Sequence, residues 1–206
     1  NISESRILHM SSRFSLSPGA IFVLSFVYFF GGLSSLAAVM LSAAVHEAGH
    51  AAAICALDGR IKRLSFDSSG LCMACSGVYS TAGEVLIFLS GPLAGLALAY
   101  ACAKLGNAAA NNFFLRTAGV SLALTAYNLL PALPLDGGRA LYSVLCVLVG
   151  KERCENKMYF ISITVALVLS FLGICARSTQ VGIVLLASSV CLLLAQTGIV
   201  KSMRML

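Results

Sequence analysis

The apolar positions of this chain come in long blocks rather than in the alternating or narrow-stripe patterns of elements that face water on one side. Six blocks stand out, at roughly residues 14–30, 33–57, 81–103, 117–135, 158–176 and 180–200. Each is near the roughly 20 residues a helix needs to cross the hydrocarbon core of a bilayer. The pattern therefore predicts an all-α membrane protein with about six transmembrane helices. Gly31 and Gly32 separate the first two blocks, and the first block is the weakest. Residues 61–80 form the one substantial polar connection. Ile61, Leu64 and Phe66 interleave there with Arg63, Ser65 and Asp67, and Ser68-Ser69-Gly70 is a turn signal. That combination predicts a small β-hairpin.

Composition makes lipid the solvent. Of the 206 residues, 59% are hydrophobic and only 11% are charged. Soluble domains carry about twice that charged fraction, so a water-soluble fold of this composition could not cover its surface. The length fits one domain, residues 1–206. Arg6 and Arg13 precede the first apolar block in the manner of a signal peptide, but no soluble domain follows, so the block reads as a retained span. The net charge of +6 does not point to nucleic acid, because the Lys and Arg residues sit in short clusters between apolar blocks. With both termini cytoplasmic and six spans, eleven Lys and Arg residues fall on the cytoplasmic side and three (Lys104, Arg116, Arg177) on the other. This is the bias that sets membrane topology. It also puts the hairpin on the cytoplasmic side and makes acidic phospholipid the counter-charge. Four of the eight cysteines, Cys55, Cys102, Cys175 and Cys191, lie within apolar blocks, where Cys behaves as a small hydrophobe. Cys72 and Cys75 form a lone C-x-x-C, half of what a zinc ribbon needs.

The chemistry concentrates in the second block, at His46-Glu47-Ala48-Gly49-His50. Residues i and i+4 share one face of a helix, so both imidazoles can meet one metal ion. Glu47 stands beside the first histidine as a general base toward water. Three ionisable groups within five residues of a membrane helix are costly and require a reason. Metal ligation supplies one; pairing with other buried charges is the plainer alternative. A catalytic zinc usually has a third protein ligand. Among the acids, only Glu84 and Asp136 lie in or at the edge of another apolar block. Asp136 follows Pro131 and Pro134, which break a helix, and precedes Gly137 and Gly138, which permit a turn. Irregular backbone at membrane depth belongs where protein buries it or a cavity is lined. On the charge-derived topology, His50 and Asp136 also fall at similar depth near the cytoplasmic face. Glu84 reads better as an interfacial, solvated acid. Gly91 and Gly95 have the G-x-x-x-G spacing of close helix packing, and His9 lies outside the blocks.

With these residues in view, the chain resembles the site-2 protease family of intramembrane zinc metalloproteases. The matching stretches are AVHEAGHAA, SGPLAG and NLLPALPLDGGRAL, and the resemblance spans about residues 18–145, with a catalytic core of about 33–145. Within that family the chain looks closest to the branch of the stage IV sporulation protease, where the zinc-bearing helix also runs into a basic hairpin like that at Gly59 to Arg63. The resemblance implies a zinc metalloendopeptidase with one Zn²⁺ per chain, held by His46, His50 and Asp136, with Glu47 activating water. Asn128, Pro131 and Pro134 would position an unwound substrate segment. The implied partners are a membrane-protein substrate such as a pro-sigma factor or another membrane-tethered regulator, the lipid bilayer, and a regulatory membrane protein. The implied location is a bacterial cell membrane. The chain departs from many members in having Gly95 where they have Asn, and it has no inserted PDZ domain. Two rival readings use the same residues. A metal-ion transporter would need further polar side chains along a route through the bilayer, and a non-proteolytic helix binder would have no need of Glu47.

Overall fold

The computed structural model describes residues 14–16, 18–67, 70–76 and 79–203. The chain runs β1 (Phe14–Leu16), α1 (Pro18–Ala56), β2 (Arg60–Asp67), β3 (Gly70–Ser76), α2 (Thr81–Ala109), α3 (Asn112–Asn128), α4 (Asp136–Val149), α5 (Lys151–Cys175) and α6 (Gln180–Met203). It is nearly all helical. His9, Ser68, Ser69 and the end of the polar connection at residues 77–78 lie outside the described residues, as do the side chains of Cys72 and Cys75.

Among the described residues, three helices are long and apolar enough to cross a membrane: Gly31–Ala56, Thr81–Ala109 and Lys151–Cys175. This corrects the expectation of six, because hydropathy does not register where the backbone breaks. The first block opens with the β1 strand and then continues as the upstream part of α1, which is kinked at Gly32. Gly32 has φ +69°, a left-handed conformation that a Cβ disfavours. The fourth block is not one span. Its helix α3 stops at Asn128, a proline-containing link covers residues 129–135, and the chain resumes as the 14-residue α4. The last block forms α6, within which Val181–Thr197 is the described apolar stretch.

Beside the helices lies a three-stranded sheet in the order β1-β2-β3. β2 pairs antiparallel with β3, with a register irregularity between Ile61 and Arg63, and β1 pairs parallel with β2 from Phe14↔Leu64 to Leu16↔Phe66.

The helical packing is that of a membrane protein in what it hides and what it shows. Phe29 is 81% exposed and Leu148 71%, whereas Ser42, Thr117, Ser121 and Ser162 are wholly buried. Apolar side chains face outward, and small polar ones let helices approach and bond to backbone inside. Helices α1, α2 and α3 pack against one another, α4 against α2, α5 against α4, and α6 against α5. The link between α3 and α4 seats Ala132 and Leu135 in an apolar core with Ala166, Leu169 and Leu192 of α5 and α6.

Candidate metal centre

One helical turn of α1 presents His46 and His50 inward, as the i, i+4 spacing requires. Both are buried, and their rings meet edge to face with centroids 4.9 Å apart. Asp136 reaches them from the first turn of α4, where the helix dipole favours a carboxylate. It too is buried. His46 Nε2 lies 3.0 Å from Asp136 Oδ2, His50 Nε2 lies 3.3 Å from the same oxygen, and the two Nε2 atoms are 3.3 Å apart. Among the described residues this is the group of His, Cys, Asp and Glu side chains that could hold a metal ion.

The donor set fits a metal on two counts. Tetrahedral zinc with nitrogen and oxygen ligands at about 2.0–2.1 Å places neighbouring ligand atoms about 3.3 Å apart, which matches two edges of this triangle, the third being 3.0 Å. The second count is protonation. His50 Nδ1 donates to the carbonyl of Ile87 at 2.7 Å. A neutral His50 with its proton on Nδ1 therefore turns a bare lone pair on Nε2 toward the carboxylate and the other imidazole. One proton shared between His46 and Asp136 leaves His50 facing electron-rich atoms with nothing positive between them. A cation at the centre of the triangle resolves this, and the Ile87 contact is the outer hydrogen bond that metal-ligating histidines usually make. His46 Nδ1 is buried without a hydrogen-bond partner, as is Ser42 Oγ one turn earlier on the same helix.

Glu47 follows His46 on α1 and is half-buried. Glu84 takes no part in the cluster. It sits in the first turn of α2 and lines a cleft of about 420 Å³ with Phe88, Arg139 and Tyr142. Asn128 is the last residue of α3, and its side-chain amide donates to the carbonyl of Leu124 at 3.1 Å. Pro131 is exposed and Pro134 half-buried, both in the link that ends at Asp136.

Two glycine pairs have roles that the sequence reading did not assign. Gly137 and Gly138 are helical residues of α4, not a turn, which corrects that expectation. A Cβ on either would run into the link: that of Gly137 would come 2.5 Å from Leu129 C, and that of Gly138 2.8 Å from Leu133 N. They let the first turn of α4 lie directly on the backbone leading into it. Gly91 of α2 makes room for a ligand, since a Cβ there would lie 2.5 Å from His50 Cε1 and 2.7 Å from its Cδ2. Gly95, one turn on, faces Thr125 of α3. G-x-x-x-G spacing signalled close packing, but not that one of the two partners is an imidazole.

Comparison with known proteins bears on the same region. Residues 103–171 match the family model described as Peptidase family M50. That segment contains Asp136 and the link before it, but not His46 or His50. No curated protein matches the sequence. Among solved structures the fold is similar to that of the site-2 protease from Methanocaldococcus jannaschii, with a TM-score of 0.70 and 19% identity over 89% of this chain and 88% of that one. At that identity the likeness is one of fold.

Proposed function

We propose that this chain is an intramembrane zinc metalloendopeptidase of the site-2 protease type. The observation that carries the reading is the meeting of His46 and His50 of α1 with Asp136 of α4 inside the bundle, all three ligand atoms within 3.3 Å, directly beside Glu47. The match to Peptidase family M50 around Asp136 and the site-2 protease-like fold support it.

His46, His50 and Asp136 would hold the ion. When bound there, zinc supplies Lewis acidity toward water and toward the scissile carbonyl. Glu47 acts as the base: it takes a proton from the water as the new C–O bond forms and then gives it to the leaving amine as the C–N bond breaks. The substrate is a membrane-associated protein that must arrive unwound, because a helix covers its own peptide bonds. Asn128, Pro131 and Pro134 stand in the right part of the chain to line its path, and strand addition would hold it extended. Since β2 is flanked by β1 and β3, the edges for such addition are those of β1 and β3, and the longer is β3, Gly70–Ser76. The charge bias was counted over six spans, and with three it no longer places both termini on one side of the membrane. The resemblance to the sporulation branch supports a membrane-tethered regulator as substrate and a second membrane protein as its control.

Among the described residues, the buried His, Asp and Glu side chains are His46, His50 and Asp136. They form one cluster and not the succession of sites that ion transport across the bilayer uses. The test is to purify the protein in detergent, measure its zinc, and co-express it with single-span substrates beside a Glu47→Gln variant. Zinc retained with cleavage abolished supports the assignment, and continued cleavage by Glu47→Gln overturns it.

A further inference from the structure

Asp136 is delivered to the imidazoles by a link that is held from the far side of the bundle. Within residues 129–135 the backbone satisfies part of its own hydrogen bonding, with Ala132 N donating to Leu130 O and Leu135 N to Ala132 O. Leu133, between the two prolines, is bonded differently. Its N–H donates to Ser162 Oγ of α5 at 2.9 Å, and its carbonyl accepts from Gln196 Nε2 of α6 at 2.6 Å. Both side chains are buried, Ser162 at 0% and Gln196 at 3% exposure. An amide side chain is an expensive tenant of an apolar helix interior, and here its polar end is spent on one backbone carbonyl.

These two bonds could simply relieve a buried peptide group. The packing around them says they do more. Gly138 lies so close to the link that a Cβ would come 2.8 Å from Leu133 N, and Gly137 lies equally close on Leu129. The link and the first turn of α4 therefore move as a unit, and any shift of Leu133 carries the Asp136 backbone with it. The imidazoles belong to α1, whereas Leu133 is tied to α5 and α6. What fixes the carboxylate relative to the imidazoles thus includes the anchorage of Leu133.

We propose that Ser162 and Gln196 are positioning residues for the metal ligand. Acting through Leu133, they set the Asp136 carboxylate against His46 and His50, and so govern metal affinity and coordination geometry without touching metal or substrate. The proposal rests on the metalloprotease reading above.

The test uses the purified full chain loaded with Co²⁺ in place of zinc. It reads apparent affinity by chelator competition, the visible absorption of the cobalt site, and thermal melting. Gln196→Met keeps the side chain's length and removes its donor. Ser162→Ala removes the hydroxyl, and Ser162→Thr keeps it. Ser189→Ala is the structural control: Ser189 is a buried hydroxyl on α6 that accepts from Ser170 and donates to the Leu186 carbonyl, so its hydrogen bonds run to α5 and within α6 and not to the link. Loss of an outer-shell partner weakens metal binding by about 10–100-fold. The expected result is a loss of that size, with an altered cobalt spectrum, in Gln196→Met and Ser162→Ala, recovery in Ser162→Thr, and wild-type affinity in Ser189→Ala even if its melting temperature falls. If Gln196→Met does not fold, the Ser162→Ala and Ser162→Thr pair decides the matter. Affinities and spectra in both Gln196→Met and Ser162→Ala equal to those of Ser189→Ala would overturn the proposal alone. A folded, unsubstituted protein that takes up neither cobalt nor zinc would overturn the metalloprotease reading and the clamp together.

Discussion

Gly91→Ala is the smallest change that tests the geometry of the centre without removing any of its chemistry. The added methyl would stand 2.5 Å from His50 Cε1 and 2.7 Å from Cδ2. Ordinary contact between such atoms is about 3.5–4.0 Å, so something must retreat by about 1 Å. The ring can yield, or α2 can move away from α1. The second route is resisted one residue earlier on α1. Gly49 already lies so close that its own missing Cβ would be 2.5 Å from Ser90 O, so the two helices are packed at backbone contact. The ring is then the softer partner. Its displacement breaks the 2.7 Å bond from Nδ1 to the Ile87 carbonyl and moves Nε2 out of a ligand triangle whose tolerance is about 0.2 Å. Overpacking by one methyl costs about 1–3 kcal/mol. If that cost falls on the occupied site, it becomes a weakening of zinc binding of about 10- to 100-fold, at about 1.4 kcal/mol per decade. Zinc affinity by chelator competition, peptide cleavage and thermal melting should be measured together. The reasoning expects affinity and cleavage to fall together. Gly119→Ala, which adds a methyl where a Cβ meets nothing within 4 Å, should leave both unchanged. A Gly91→Ala protein that binds zinc within about twofold of the parent, well inside a single decade, would refute the claim that Gly91 exists to seat His50.

The other predictions address the chemistry directly. Glu47→Gln should retain stoichiometric zinc and lose cleavage by about 10²- to 10⁴-fold, the usual worth of a general base; metal analysis beside a gel-based cleavage assay checks both halves. Asp136→Asn should keep the fold by circular dichroism but lose most bound zinc, because an amide is a poor ligand for the ion and leaves two imidazoles to hold it. A chelator should abolish cleavage by the purified enzyme, and stoichiometric Zn²⁺ should restore it; activity that survives complete removal of metal would exclude a metal-dependent step. Gly32→Ala should lower the melting temperature by an amount corresponding to about 1–2 kcal/mol, since φ +69° is costly for an L side chain, with zinc content unchanged.

How much of this could be read from the sequence depended on how local the determining physics was. The pairing of His46 with His50 follows from helical periodicity alone, and Asp136 could be singled out because so few acids lie near apolar blocks. The membrane-spanning count was misread for a related reason. Hydropathy averages over windows and records neither the stop of α3 at Asn128 nor the β1 strand inside the first apolar block. The parallel pairing of β1 with β2 joins Phe14 to Leu64, residues that no local pattern connects. Gly137 and Gly138 looked like turn residues because glycine usually serves by its freedom at positive φ. Here it serves by having no side chain, a property that shows only when the opposing backbone is in place.

That distinction bears on why the third ligand sits on a short helix behind a broken one. A carboxylate carried on a continuous membrane helix can be adjusted only by turning or sliding the whole helix. The break at residues 129–135 uncouples Asp136 from α3 and lets its backbone be fixed locally, by the glycine contacts on one side and by Ser162 and Gln196 on the other. The cost is a stretch of irregular backbone at membrane depth, tolerable only where each freed group finds a partner. The link goes part of the way to that condition through its own Leu130 and Ala132 carbonyls and through the two polar side chains on Leu133. The histidines need no such arrangement, because the i, i+4 spacing of one regular helix already places them. A metal site divided in this way takes its rigidity from α1 and its fine adjustment from the link. Substitutions in the link should therefore change metal geometry before they change the fold, while substitutions along α1 should do the reverse.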